Sequence, residues 1–115
     1  TGATATANYA IAIGSGATAS GYKSQASGES AIANSDYSTA SGYAANASGF
    51  SSQALGQLAN AAGINSIAIG TNATAAGNYS QASGTFATAS GINSIATGTN
   101  ANAGQRIGPS IGFVV

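Results

Sequence analysis

Few side chains in this sequence could carry acid–base or nucleophilic chemistry. The 115 residues include two basic and two acidic side chains, with no histidine and no cysteine. Glu29 and Asp36 are too far apart in the repeat described below to act together as general acid and base. Lys23 could pair with Asp36 in an exposed ion pair, and the alternative Ser–Lys dyad would need a cleft that nothing in the pattern indicates. We therefore predict no catalytic residues, no cofactor-binding residues and no metal site, in a protein that is not an enzyme.

The charge and hydropathy of the chain also exclude several partners. The formal net charge is zero, and Lys23 and Arg106 are too far apart to form the basic stripe that nucleic acid requires. No apolar run approaches the ~20 residues of a membrane span, and no signal peptide is recognisable at the start. We expect no nucleic-acid partner and no direct membrane contact in this fragment, so that the anchor of an exported protein would lie elsewhere.

A seven-residue repeat organises the sequence. Cut after each repeated glycine, the chain gives units such as INSIAIG and TNATAAG, in which Ser35 alone replaces a glycine. The third place alternates between serine and alanine, with Ala10 as the one exception. We call the two kinds serine units, which start at residue 8, and alanine units, which start at residue 15. The full period is therefore fourteen residues, and the glycines fall at Gly14, Gly21, Gly28, Gly42, Gly49, Gly56, Gly63, Gly70, Gly77, Gly84, Gly91 and Gly98.

The repeat predicts short strands. A coiled coil would need large apolar residues where this repeat has only alanine and serine, and collagen would need glycine at every third residue. With places three to six as a strand and the glycine opening a turn, each unit is one strand and one corner. The fold class is all-β, a parallel β-roll or β-solenoid with two strands and fourteen residues per coil. Residues 1–105 form this domain.

The fifth place of every unit is alanine, and we assign it to the roll interior. Two walls that face each other closely leave room for small side chains only. The interior residues are Ala12, Ala19, Ala26, Ala33, Ala40, Ala47, Ala54, Ala61, Ala68, Ala75, Ala82, Ala89, Ala96 and Ala103.

Large aliphatic residues are concentrated at the outward fourth and sixth places of the serine units. An alanine interior stabilises a fold weakly, and such an apolar face would be an adhesive patch on a single chain. We expect this face to pack against copies of the same chain, in an interface of Ile11, Ile13, Leu55, Ile67, Ile69 and Ile95.

Aromatic residues recur at the first two places of the serine units and form a row along one corner. The row could be simple corner packing, or it could contact a protein or glycan ligand. The candidate ligand contacts are Tyr9, Tyr22, Tyr37, Phe50 and Tyr79.

Residues 65–70 (NSIAIG) and 93–98 (NSIATG) resemble the NSVAIG-type motif of the YadA-like head repeats of trimeric autotransporter adhesins. The resemblance covers about residues 1–105. It implies a left-handed β-roll in a homotrimer, with the isoleucines facing the trimer axis. It also implies an outer-membrane-anchored fibre on the bacterial cell surface that binds host matrix proteins such as collagen, or cells. Residues 106–115 depart from the family pattern and are expected to be a C-terminal cap or transition segment.

Two alternative functions use the same fold. Similar repeats could occur in a bacteriophage tail fibre, which would place the chain on a virion. A β-solenoid with flat ranks of threonine could bind ice, but Ile32, Asn46 and Asn60 interrupt the rank of Thr18, Thr74 and Thr88. The adhesin head is therefore the preferred interpretation.

Overall fold

The computed structural model describes residues 2–104 and 110–113, and it shows two parallel sheets of eight strands each. No helix occurs in the described part of the chain. The alanine-unit sheet contains β1 (Thr4–Ala5), β3 (Thr18–Ala19), β5 (Ile32–Ala33), β7 (Asn46–Ala47), β9 (Asn60–Ala61), β11 (Thr74–Ala75), β13 (Thr88–Ala89) and β15 (Asn102–Ala103). The serine-unit sheet contains β2 (Ile11–Ile13), β4 (Gln25–Ser27), β6 (Thr39–Ser41), β8 (Gln53–Leu55), β10 (Ile67–Ile69), β12 (Gln81–Ser83), β14 (Ser94–Thr97) and β16 (Ser110–Phe113).

The strand order confirms an all-β parallel solenoid of about seven turns. Each strand pairs with the next strand of its own sheet and never with its neighbour in sequence. Ala68, for example, is in register with Ala54 and Ala82, fourteen positions away on either side. The molecule measures 40 × 23 × 12 Å, so the two walls enclose a thin interior.

The last pairing departs from this spacing. Ile95 is in register with Ile111, sixteen positions away, so β16 extends the serine-unit sheet after an insertion in the repeat. Most of the expected cap or transition segment, including Arg106, lies outside the described residues.

The interior consists almost entirely of methyl groups. Thirteen of the fourteen fifth-place alanines are buried, and Ala12, in the first described coil, is partly buried and packs against them. The third-place alanines of the alanine units are buried as well, from Ala17 to Ala101. Because no side chain larger than serine is fully buried within residues 2–104, coil-to-coil hydrogen bonding and close packing hold the roll together.

Each corner is a hydrogen-bonded turn of one design. The third residue of a unit donates its N–H to the carbonyl of the preceding seventh residue, as in Ser24 to Gly21 at 3.1 Å. The second residue has positive φ, as in Tyr9 (φ 61) and Leu58 (φ 60), which matches the geometry of a type II turn. Its N–H bonds to the coil below, as in Tyr37 to the carbonyl of Tyr22 at 2.8 Å.

The repeated glycines of both kinds of unit leave no room for a Cβ against the next coil, and one kind also has positive φ. Those that end a serine unit have positive φ, for example Gly28 at 130°, a conformation that glycine adopts readily. The glycines that end an alanine unit do not have positive φ. In both kinds of unit the second residue has positive φ, and most of these second residues are not glycine. At Gly63 an added Cβ would fall on the carbonyl oxygen of Gly77 in the next coil, so this row of glycines permits close stacking of the coils.

Candidate interaction surfaces

The six predicted interface residues all lie on the outer side of the serine-unit sheet, which we call the apolar face. Ile11, Ile13 and Ile69 are 48%, 61% and 43% exposed in the single chain. Leu55, Ile67 and Ile95 are half-buried. Since the interior side of the same strands is filled by alanine, these side chains cannot turn inward. The structure thus brings the predicted residues onto one flat surface that a single chain leaves accessible to water.

The outer side of the alanine-unit sheet has a different composition. Its fourth-place rank contains threonine and asparagine, such as Thr74 and Asn60, which are half-buried against their neighbours. Ile32 is the one large apolar residue among its described fourth and sixth places, at 37% exposure. Ile32 and the asparagines interrupt the threonine rank, so the surface lacks the regular threonine array that ice binding would use.

The aromatic row lies along the corner that precedes each strand of the serine-unit sheet, which we call the first corner. Tyr9, Tyr22, Tyr37 and Phe50 form a continuous ladder of edge-to-face contacts, with ring centroids 5.9, 5.7 and 5.7 Å apart. This geometry is favoured because the edge of one ring meets the electron-rich face of the next. Tyr79 lies farther along the same corner and is 56% exposed.

Two further residues belong to this corner, and the sequence analysis did not include them. Ile64 and Ile92 occupy first places of serine units and are 42% and 51% exposed. With them, each of the seven coils carries one large apolar side chain at the first corner. A search by side-chain size rather than aromaticity would have found the complete row.

Lys23 and Asp36 do not form the expected ion pair in the described structure. The Lys23 ammonium nitrogen lies 5.8 and 5.5 Å from the ring centroids of Tyr9 and Tyr22, within range of cation–π attraction. The Asp36 carboxylate accepts a hydrogen bond of 2.9 Å from the backbone N–H of Tyr22. The short Asp36 side chain reaches the backbone of the neighbouring coil, whereas an exposed ion pair would have to immobilise a long lysine side chain for little gain. Asn78 caps Ile64 in the same way, at 3.0 Å.

The corner that follows each strand of the serine-unit sheet, which we call the second corner, carries fewer large side chains. Tyr43, Leu58 and Phe86 are 50%, 44% and 53% exposed. Glu29 is also on this corner and is exposed. These three apolar residues occur in only three of the alanine units, so the repeat pattern does not make them conspicuous.

Buried serines line the interior of the serine-unit sheet and differ in their hydrogen bonding. Ser80 donates its hydroxyl to the carbonyl of Gly77 at 2.6 Å, and Ser52 accepts from the N–H of Gly49 at 3.1 Å. The hydroxyls of Ser66 and Ser94 have no partner in the described part of the chain, although both are fully buried. Both belong to the NSIA segments.

Grouped metal-ligating side chains are absent from residues 2–104 and 110–113, where no three His, Cys, Asp or Glu side chains come together. Among the same residues we find no cleft. A separate search of them for a helix long and apolar enough to cross a membrane found none.

The structure defines a two-stranded parallel β-solenoid with one apolar face, and comparison with known proteins identifies its family. The model of the YadA head domain repeat (2 copies) matches residues 1–17, 14–34, 47–73, 69–91, 75–101 and 89–105. The chain therefore belongs to the YadA head repeat family, as the sequence motifs indicated, and this is a family of adhesin structural domains rather than of enzymes.

A solved structure supports the same assignment. The crystal structure of the collagen-binding domain of the Yersinia adhesin YadA matches with a TM-score of 0.84 and 27% sequence identity. The match covers 96% of this chain and 69% of that chain. No curated protein sequence matches this chain.

Proposed function

We propose that this chain is the head of a surface adhesin and attaches to host extracellular matrix or cells as a homotrimer. The observation that carries the proposal is the exposed apolar face, in a chain of the YadA head repeat family. Each chain would be a left-handed roll with fourteen residues per coil. In the trimer the apolar faces of three chains would surround a common axis.

The energetics of a single roll support assembly. Burying a methylene contributes only ~0.8 kcal/mol, and an interior of alanine and serine offers few of them. The six aliphatic residues of the apolar face offer apolar surface that sister chains could bury. Their removal from water would compensate for the thin interior.

Matrix attachment is proposed from the relative with known structure. That protein is the collagen-binding domain of YadA, and its match spans nearly all of this chain. We infer that triple-helical collagen is the ligand class to test first. The candidate ligand contacts Tyr9, Tyr22, Tyr37, Phe50 and Tyr79 remain a prediction at this stage. The comparisons do not favour the bacteriophage-fibre alternative.

We further propose a location on the bacterial cell surface, at the end of a fibre anchored in the outer membrane. Residues 106–115 would form the cap or the transition to the next part of the fibre. Attachment would need no cofactor, metal or catalysis, because binding alone supplies the function.

Binding to collagen tests this proposal directly. The chain is passed over immobilised triple-helical collagen and, as a matched control, over the same collagen after heat denaturation. Light scattering on the same sample measures the native mass against 10.8 kDa for one chain. We expect a mass three times that of the chain and saturable binding to triple-helical collagen. A monomer that binds neither surface would overturn the proposal.

A further inference from the structure

The two corners of the roll flank the apolar face on opposite sides. In the coil that starts at residue 22, the first corner holds Lys23, the strand β4 (Gln25–Ser27) follows, and the second corner holds Glu29. The three residues of β4 alone span about 10 Å at roughly 3.3 Å per residue, and Lys23 and Glu29 lie beyond its two ends. The two corners of one chain therefore cannot touch each other across the apolar face.

Rotation about an axis parallel to the roll brings unlike corners together. If apolar faces surround such an axis, the first corner of one chain meets the second corner of the next, as in any cyclic head-to-tail assembly. Rotation does not change the height along the axis. Each coil of one chain therefore faces the same coil of its neighbour, and the composition of the two corners can be compared coil by coil.

Large side chains at the second corner occur in the same coils as aromatic residues at the first corner. Within single coils, the first-corner residues Tyr37, Phe50 and Tyr79 are followed by the second-corner residues Tyr43, Leu58 and Phe86, respectively. All six are between 44% and 56% exposed in the single chain. Where the first corner carries an aliphatic residue, at Ile64 and Ile92, the second corner of that coil has only threonine and asparagine. Large second-corner residues thus occur only in coils whose first corner holds an aromatic ring.

The charges match as well. Lys23 is the one basic residue of the described chain, and Glu29 is the one charged residue of the described second corner. They belong to the same coil, which places them at nearly the same height on opposite corners. Asp36, the other carboxylate, lies on the first corner and already caps a backbone N–H. If neighbouring chains were shifted by one coil along the axis, Lys23 of one chain would no longer lie at the height of Glu29 of the next.

We propose that the first corner is an intersubunit seam whose occupant is the second corner of a sister chain. Lys23 of one chain pairs there with the Glu29 position of the next, and the aromatic residues cover the three large side chains of the second corner. This inference rests on the homotrimer proposed above and adds to it the register between chains. It assigns the aromatic row to assembly rather than to a ligand.

Engineered cysteines test the seam, because the natural chain contains none. The double variant Lys23→Cys/Glu29→Cys is oxidised and run on a non-reducing gel. An intrachain disulfide is excluded, since a disulfide requires Cα atoms within roughly 4.4–6.8 Å of each other. We expect most chains to appear as covalent dimers and trimers that revert to monomers on reduction. The matched control Lys23→Cys/Thr85→Cys places the second cysteine on the same corner four coils away, and it should remain monomeric on the gel.

Light scattering on the unoxidised samples tests the homotrimer separately from the seam between its chains. A trimeric mass with no covalent species in Lys23→Cys/Glu29→Cys overturns the seam and leaves the homotrimer intact. A monomeric natural chain overturns the homotrimer itself. If the single variant Lys23→Cys cross-links to the same extent as Lys23→Cys/Glu29→Cys, the first corners of two chains meet each other. That result also overturns the seam. If cross-linking fails and Tyr37→Ser abolishes collagen binding by the trimer, the row is a ligand contact.

Discussion

The two walls of this roll share one interior and have opposite exteriors. Ala68 of the serine-unit sheet and Ala75 of the alanine-unit sheet are both fully buried and face the same thin core. Outside, Ile67 and Ile69 stand on one wall, and Thr74 stands at the corresponding place on the other. Since a solenoid closes its backbone hydrogen bonds coil by coil, neither exterior takes part in the hydrogen bonding of the two sheets. Each exterior is therefore available for interaction, and the apolar one is suited to sister chains.

The largest expected effect comes from making the two exteriors alike. The double variant Ile67→Asn/Ile69→Asn should convert the oligomer to a monomer, because it removes apolar area from the centre of the proposed interface. The matched variant Thr74→Asn/Thr88→Asn, on the other wall, should retain the native mass. Light scattering measures the mass, and circular dichroism checks that both variants keep their strands. If Ile67→Asn/Ile69→Asn remains oligomeric, the apolar wall is not the interface between chains.

A smaller effect is expected from the glycines that end the alanine units. Gly63→Ala should lower the free energy of unfolding by about 3 kcal/mol, at the upper end for overpacking, because its Cβ would meet the backbone of Gly77. Gly16→Ala is the control, since an added Cβ there would meet nothing nearer than the Ser30 hydroxyl oxygen at 3.7 Å, and Ala44 already holds positive φ at the same place of its unit. Denaturant unfolding at one fixed protein concentration measures both, because assembly contributes to stability. Equal loss in the two variants would show that close stacking is not the reason for this glycine row.

The smallest expected effect distinguishes buried serines within one wall. Ser66→Ala should stabilise the roll by about 1 kcal/mol, because it removes a hydroxyl that is buried without a partner in the described structure. Ser80→Ala should destabilise it by about 1 kcal/mol, because it removes the hydrogen bond to the Gly77 carbonyl. The same unfolding measurement compares the two. If both changes destabilise the protein equally, Ser66 has a partner in solution and the two serines are equivalent.

Much of the fold could be predicted from the repeat, because short strands and close-packed coils demand residues of fixed size. The fifth-place alanines and the outward isoleucines such as Ile69 follow from period-two alternation within a unit. The corner contacts could not be predicted in the same way. Lys23 was expected to pair with Asp36, whereas it lies beside Tyr9 and Tyr22 and Asp36 caps a backbone N–H. Corner side chains are not held by the repeat, so several partners compete within reach.

The sequence by itself determined the period, the interior and the presence of one apolar wall. These depend on residue size at regular spacing, and a strand has only two sides on which to place a side chain. The tertiary structure decided how the corners are arranged. It joined four aromatic rings into a ladder and gave the second place of each unit positive φ. Residues fourteen positions apart become neighbours only when coils stack, so such contacts arise from the closed roll and not from any local stretch of chain.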